Sequence, residues 1–581
     1  MSSGPAEPSP PSPAGPATPP RLVRSAHLSW FGHMGAVYLF HDLFGFLMEM
    51  SPDIAELVDA FADGADTAET VARFTGRFGD ADPQQFVDVL VSHFVLVEPD
   101  EDEIEGLWPM VAIKGKWNVW QRRGNAMTIW TAWGERPVAQ ILLDDEETAM
   151  WDAFDGEKRL IELRGRFDRD KLMHLVRRLV HSDTQALKLC QLPMSTFARR
   201  PQMAPRYLTS TMPYRSWRPG EPVPGTVESQ VSPAAYYQGE IEDAALQFDH
   251  RETTLSHLFR VPHPALAGRT YGQALVDGLA QRGHLPTAPR AGGPARHLTV
   301  LEIGAGLGYV ARDVMSRLRE LGFEVDYTIV ELAPALAAAQ QQRLGADSAR
   351  WVEGDVLAVD LPAASFDFIL ANEMIGDLPA RYLSRTDIGL PVGDTGTADP
   401  NLVRQLGKGG ELAADHGVNL DDAPEPLFLM TGAFELIDRV ATWLRPGGVA
   451  ILTEFGENSQ WPRLSTHLDH PELSTHFGQL AALARGLGLG AHIDFVMDVI
   501  DLDRNAKGLA TTRSHFRALR AMFEAAGIDL PKLGMVPEML QELVADKLSL
   551  DKVGELRWDK IEDRLMGLVP HEFKLLALSR P

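Results

Sequence analysis

Cysteine is almost missing from this chain, which has one, Cys190, in 581 residues. A single cysteine can build neither an intramolecular disulfide framework nor a cysteine-based zinc site, and it agrees with a reducing compartment, so the cytoplasm is the expected location. Long apolar runs are also missing. The most apolar early stretch, His33 to Met50, is interrupted by His41, Asp42 and Glu49 and cannot serve as a transmembrane helix, so no membrane partner is expected. Positive charge is scarce: 55 Lys and Arg face 80 Asp and Glu, for a formal net charge of −25. That balance argues against nucleic acid, which needs a basic footprint, and suits a basic peptide better, although acidity also serves plain solubility. Residues Met1 to Pro20 have no basic start and no apolar centre, so residues 1–26 read as a disordered arm and not as a signal peptide.

A chain of this length exceeds one hydrophobic core and implies two to four domains. The N-terminal third contains a diverged repeat, with modules expected at 27–105 and 106–192. In the first, Val37 to Phe40 and Phe44 to Met50 read as paired strands. A helix opens at Ser51-Pro52-Asp53, and further helices span Thr67 to Phe78 and Asp82 to Val91 before the strand-like Phe94 to Val97. In the second, Met127 to Trp133 and Val138 to Leu143 supply strands, and Asp144 to Phe154 a helix. The echo extends to single residues, since Trp151-Asp152-Ala153-Phe154 matches Val58-Asp59-Ala60-Phe61 and Gly165-Arg166-Phe167 matches Gly76-Arg77-Phe78. Pro193 to Pro233, rich in Pro and Arg, reads as an extended surface linker.

The remaining domain, 234–581, carries the chemistry. Val300 to Ile303 is an apolar strand running into Gly304-Ala305-Gly306-Leu307-Gly308 and then a helix, the pattern of a turn that lets a nucleotide-like ligand approach the backbone. A second strand, Tyr327 to Val330, ends in Glu331, placed to accept two ribose hydroxyls. These two features fit NAD as well as S-adenosylmethionine, but Glu302 before the glycines and Asp355-Val356 after a third strand favour the latter. Asn372 and Glu373 end a fourth strand, on the carboxyl edge where open α/β sheets build their sites. His467, His470 and His476 match no familiar ligand spacing, so no metal is expected.

This order of motifs resembles the class I S-adenosylmethionine-dependent methyltransferases, which implies a Rossmann-like α/β sheet with S-adenosyl-L-methionine as cofactor. In that likeness Gly304, Gly306 and Gly308 face the cofactor, Glu302 orients its ammonium, Glu331 holds the ribose, and Asp355 with Val356 frames adenine. Ala371-Asn372-Glu373-Met374-Ile375-Gly376-Asp377-Leu378-Pro379 is similar to the Ala-Asn-Glu-x-x-Asp-Ala-Leu-Pro segment of the MidA-like family, which methylates protein arginine. Glu331 with Pro334, Phe434-Glu435 to Trp443-Leu444, Pro446-Gly447-Gly448 and Glu572 to Leu578 follow in the family's order. The family's Asp falls on Gly376 here, with the acid displaced to Asp377. Its Asp-Tyr-Gly reads Glu454-Phe455-Gly456, and its Thr-Ala-His-Val-Asp reads Ser474 to Gly478. The resemblance implies that Asn372, Glu373, Asp377, Glu435 and His476 surround the acceptor, the carboxylates orienting a guanidinium.

The N-terminal modules resemble PqqD-like, winged-helix-like α+β domains that capture a leader peptide as an added strand. Together the resemblances imply a methyltransferase that modifies a ribosomally made peptide or protein, recruited by its own N-terminal modules. Small-molecule methylation and a non-catalytic assembly role remain as alternatives, and a homodimer stays open.

Overall fold

The computed structural model describes residues 21–581 apart from short gaps, the stretches 200–214, 224–229, 249–253 and 288–294, and most of 529–572. The chain divides into two compact units, Met1–Asn118 with Gly124–Thr226, and Val119–Arg123 with Val227–Pro581. Among the described residues no helix is long and apolar enough to cross a membrane.

In the first unit the repeat is visible as a repeated order of elements. Strand Arg21–Arg24 is followed by the antiparallel meander Leu28–His33, Ala36–His41 and Leu47–Met50. Helices Pro52–Asp59, Thr67–Phe74 and Pro83–Ser92 come next, and Leu96–Val97 returns to pair antiparallel with Arg21–Arg24. The second copy runs from Val111–Lys114 through the hairpin Ala126–Thr131 and Ala139–Leu143 and three helices, and Leu187–Cys190 closes antiparallel on Val111–Lys114. Local chemistry sets the helix starts. Ser51 Oγ accepts from the Ile54 N–H at 3.3 Å ahead of Pro52, and Asp144 with Glu147 forms a capping box. Leu22, Val37, Leu39, Leu57, Val58 and Phe61 share one core.

Four expectations need correction here. The arm at 1–26 gives way to strand by Arg21, because Leu22 is fully buried and its backbone is paired; residues 1–20 lie outside the described residues. The helix read as Thr67 to Phe78 ends at Phe74, and the strand read from Phe44 begins at Leu47. The stretch 193–233 is not a free linker throughout. Arg215–Ser216 pairs with the Leu28–His33 strand, and the Trp217 indole is buried edge-on to Trp30, its Nε1 donating to the Glu221 carbonyl at 2.9 Å.

The second unit is built on one twisted sheet. Its strands are β1 (Arg296–Ile303), β2 (Phe323–Glu331), β3 (Arg350–Glu353), β4 (Phe366–Asn372), β5 (Leu444–Glu457), β6 (Gly490–Phe495) and β7 (Phe573–Ser579). They lie in the order β3-β2-β1-β4-β5-β7-β6, all neighbours parallel except β7, which is antiparallel to both β5 and β6. This is the sheet expected of the class I methyltransferase fold. Parallel neighbours require crossovers, and α2 (Tyr309–Glu320), α3 (Pro334–Leu344), α4 (Thr431–Trp443) and α5 (Phe477–Gly486) lie in the connections between strands, while α1 (Tyr271–Gln281) precedes β1. Central strands covered on both faces become predominantly apolar, as in Phe368 to Ala371, and in β1 Leu298, Val300, Leu301 and Ile303 are all buried. The stretch Asp387 to Pro426 is ordered by two short helices, Pro400–Arg404 and Lys408–Asp415.

The approach of α1 to the segment Val496–Val499 is close enough to demand glycine. A Cβ on Gly278 would lie 1.8 Å from the Val499 carbonyl oxygen. Gly278→Ala should therefore lose on the order of 1–3 kcal/mol to overpacking despite alanine's better helix propensity. Urea denaturation measures this, and a variant as stable as the wild type would contradict the contact.

Candidate functional site

β1 and β4 are sequence-distant neighbours: after β1 the chain moves outward to β2 and β3, then returns to β4 on the other side. Their carboxyl ends therefore diverge and leave a crevice, the place where open α/β sheets bind ligands. A cleft of about 1290 Å³, open to solvent, lies there. It is lined by Glu302, Gly304 and Gly306 from the first turn, Glu331 from β2, Asp355 and Val356 after β3, and Asn372, Glu373 and Asp377 after β4. Gly304 and Gly306 have φ of 65° and 52°, the left-handed region that favours glycine, so the turn presents bare backbone to the cleft.

Two acids of this set are buried. The Tyr327 hydroxyl donates to Glu302 Oε2 at 2.6 Å, while burial pushes the Glu302 carboxyl up to about 7. Glu331 accepts from the Ala333 N–H at 3.1 Å and from Gln340 Nε2 at 2.7 Å, and burial also raises it to about 7. Gln340 is itself positioned by donating to the Gly306 carbonyl, which ties α3 to the glycine turn. Asp355 Oδ1 accepts from the Leu357 N–H at 2.8 Å, holding its loop at the cleft edge.

On the β4 side Asn372 is a hub. The hydroxyls of Tyr271 and Thr453 each donate to its Oδ1 at 2.8 Å, and its Nδ2 lies 3.3 Å from Glu373 Oε1. Glu373 adopts φ of 51°, a strained backbone for a residue with a side chain. It is held there by its N–H donating to the Thr453 carbonyl and by its carboxylate accepting from the Leu255 and Ser256 N–H groups at 2.8 and 2.9 Å. Glu373 thus anchors the segment whose Thr254, Ser256 and His257 also line the cleft. Asp377 Oδ2 accepts from the Tyr237 hydroxyl at 2.6 Å, and the same hydroxyl lies 3.2 Å from His470 Nε2. Glu472 joins the lining, and behind it Glu454 accepts from the Gly376 and Phe455 N–H groups. Burial, then the charges of Glu472 and Glu373, push Glu454 well above the usual carboxylate range.

Three residues expected at the site fall elsewhere. Gly308 caps α2 with φ of 78°, the left-handed region that favours glycine, and lies outside the lining. Glu435 sits in the first half of α4, outside the lining. His476 starts α5: its Nδ1 accepts from the Gln479 N–H at 3.2 Å, its ring meets Trp461 edge-on, and burial lowers its basicity. Tyr237, Tyr271, Thr453, Glu454 and Glu472 were not read from sequence. Only Glu454 carried a signal, as the counterpart of an acid in the Asp-Tyr-Gly pattern.

A family model described as "Putative S-adenosyl-L-methionine-dependent methyltransferase" matches residues 284–466, the stretch that holds β1 to β5 and the glycine turn. The protein is an enzyme, an S-adenosylmethionine-dependent methyltransferase, and S-adenosylmethionine is its cofactor. No curated protein matches the chain. Among solved structures it is similar to phosphoethanolamine N-methyltransferase 2 of Haemonchus contortus in complex with S-adenosyl-L-methionine, at 12% identity and TM-score 0.30, over 63% of this chain and 62% of that one. It is also similar to a Burkholderia thailandensis protein bound to S-adenosyl-homocysteine, at 18% identity and TM-score 0.31, over 61% and 88%. A third is the 1,6-didemethyltoxoflavin-N1-methyltransferase of Burkholderia thailandensis, at 21% and 0.21, over 38% and 68%. None of these likenesses bears on the acceptor.

The buried Glu302 carries a cost that depends on pH. Its carboxyl titrates near the ordinary value when unfolded and at about 7 when folded, so the cost is absent in acid and complete above pH 7. Glu302→Gln keeps an acceptor for Tyr327 and should be about 1–3 kcal/mol more stable than wild type at pH 8, with the gain vanishing near pH 4.5. Urea denaturation of the ligand-free protein at the two pH values checks this; a gain independent of pH would contradict it.

Proposed function

We propose that this enzyme methylates a nitrogen of a peptide or protein side chain, arginine foremost, as the MidA-like resemblance suggests. The observation that carries the reading is the cluster of Glu373, Asp377 and Glu472 in the cofactor cleft, with Glu454 behind them. Burial first, and then the charges of Glu472 and Glu373, raise Glu454, so negative charge is crowded at this end of the cleft. A cationic acceptor relieves this, and a planar guanidinium offers the donors to satisfy several carboxylate oxygens at once.

The residues of the cleft fit S-adenosylmethionine. Glu331 would accept from the ribose hydroxyls, Asp355 and Val356 would frame the adenine, Glu302 would orient the ammonium, and the bare backbone at Gly304 and Gly306 would admit the ligand. Bound there, the cofactor supplies an electrophilic methyl carbon. The protein's own part is to hold the acceptor nitrogen in line, exclude water and receive the nitrogen's proton, for which Asp377, which lines the cleft and is steadied by Tyr237, is the candidate base.

The N-terminal repeat supports a peptide substrate, in the manner of PqqD-like winged-helix modules. Leu47–Met50 and Ala139–Leu143 occupy equivalent places in the two copies, and each ends its sheet among the described residues. An edge strand carries unpaired N–H and C=O groups on which an extended peptide can add.

Three outcomes are expected. Glu331→Ala should weaken S-adenosylhomocysteine binding by at least about tenfold in calorimetry, because two hydroxyl contacts are lost; unchanged affinity would remove Glu331 from the cofactor site. Asp377→Asn, which keeps an acceptor for Tyr237, should slow turnover on the order of 10²-fold while cofactor affinity stays within threefold. Given a peptide encoded beside the gene, mass spectrometry should find the methyl group on arginine, and the same peptide with citrulline in its place should remain unmodified. Methylation of the citrulline peptide, or of neutral small molecules alone, would overturn the cationic acceptor.

A further inference from the structure

His284, His492 and Asp494 converge at the far edge of the sheet, and we infer that they form a zinc site that fastens edge strand β6 to the chain leaving α1. One ligand atom from each residue lies within 4.8 Å of the other two. His492 and Asp494 are two residues apart on β6, so their side chains leave the same face of the strand. His284 follows the end of α1, beside Arg282, whose guanidinium donates to the Asp498 carbonyl at 2.6 Å and holds this end of the helix in place.

The spacing is that of ligands sharing an ion. Asp494 Oδ2 lies 3.4 Å from His284 Nε2, and Oδ1 lies 3.3 Å from His492 Nε2. Donors bound tetrahedrally to zinc at about 2.0–2.1 Å stand roughly 3.3 Å apart. The imidazole rings lie 5.7 Å apart at 34°, with both Nε2 atoms turned toward the same carboxylate. Asp494 Oδ2 is inaccessible to solvent yet accepts no hydrogen bond among the described residues. A cation shared with His284 and His492 would satisfy that oxygen.

Two imidazoles and one carboxylate select a borderline transition metal over magnesium or calcium, which take all-oxygen sets. β6 is separated from β4 by β7 and β5, roughly 14 Å at the usual strand spacing, so the ion is structural and takes no part in methyl transfer. It would tie the otherwise open edge of the sheet to α1, the helix that brings Tyr271 to Asn372.

The test uses the full-length protein, stripped with EDTA and titrated with zinc chloride against a chelating dye. The wild type should bind one equivalent, and zinc should raise its melting temperature. His492→Ala, at an exposed side chain, and Asp494→Asn should each weaken binding by about tenfold or more and abolish the melting shift. A wild type that binds no zinc, or variants that bind it as tightly as the wild type, would overturn the inference.

Discussion

Everything at the site depends on the reversal of strand order between β1 and β4. Because β2 and β3 stack on one side of β1 while β5, β7 and β6 stack beyond β4, the loops leaving the two central strands part company. The opening lies beside a turn whose glycines lack side chains, so the crevice has backbone for a floor. Glu331, Asp355 and Asn372 are far apart in sequence, and only this strand order delivers them to one cleft.

The second constraint is electrostatic. Glu302, Glu331 and Glu454 are buried, and burial is the leading cause raising each of them. Such groups weaken the ligand-free fold above neutral pH and are tolerated because a large apolar core, running from Leu301 through Phe434 to Leu578, supplies the stability. The same burial makes their hydrogen bonds specific. Asn372, receiving two hydroxyls on one oxygen, has its amide orientation fixed, and its nitrogen then faces Glu373. The strained backbone at Glu373 places its carboxylate where it grips the chain at Leu255 and Ser256.

Much of the sheet and one side of the cleft were legible in the sequence. The strands ending in Ile303, Glu331 and Asn372 are rich in buried apolar residues near their carboxyl ends, and polar Glu331 and Asn372 stand at two of the tips. In the N-terminal unit, Ser51-Pro52 and Asp144 announce helix starts by local chemistry alone. What escaped depends on contacts distant in the chain. Tyr271 meets Asn372 across 101 positions and Tyr237 meets Asp377 across 140, and no local period marks either tyrosine. Glu435 and His476 stand in a motif order shared with a family, but order along the chain does not fix which way a helix turns its side chains. Trp217 lies in a Pro- and Arg-rich stretch whose composition hides one anchoring indole.

The most direct test is a crystal structure of the full chain grown with S-adenosylhomocysteine. The ribose hydroxyls should lie within hydrogen-bond distance of Glu331, with the homocysteine end over Gly304 and Gly306 and its sulfur turned toward Asn372 and Glu373. A ligand bound away from the β1–β4 crevice, or one that leaves Glu331 engaged only with Ala333 and Gln340, would contradict the site.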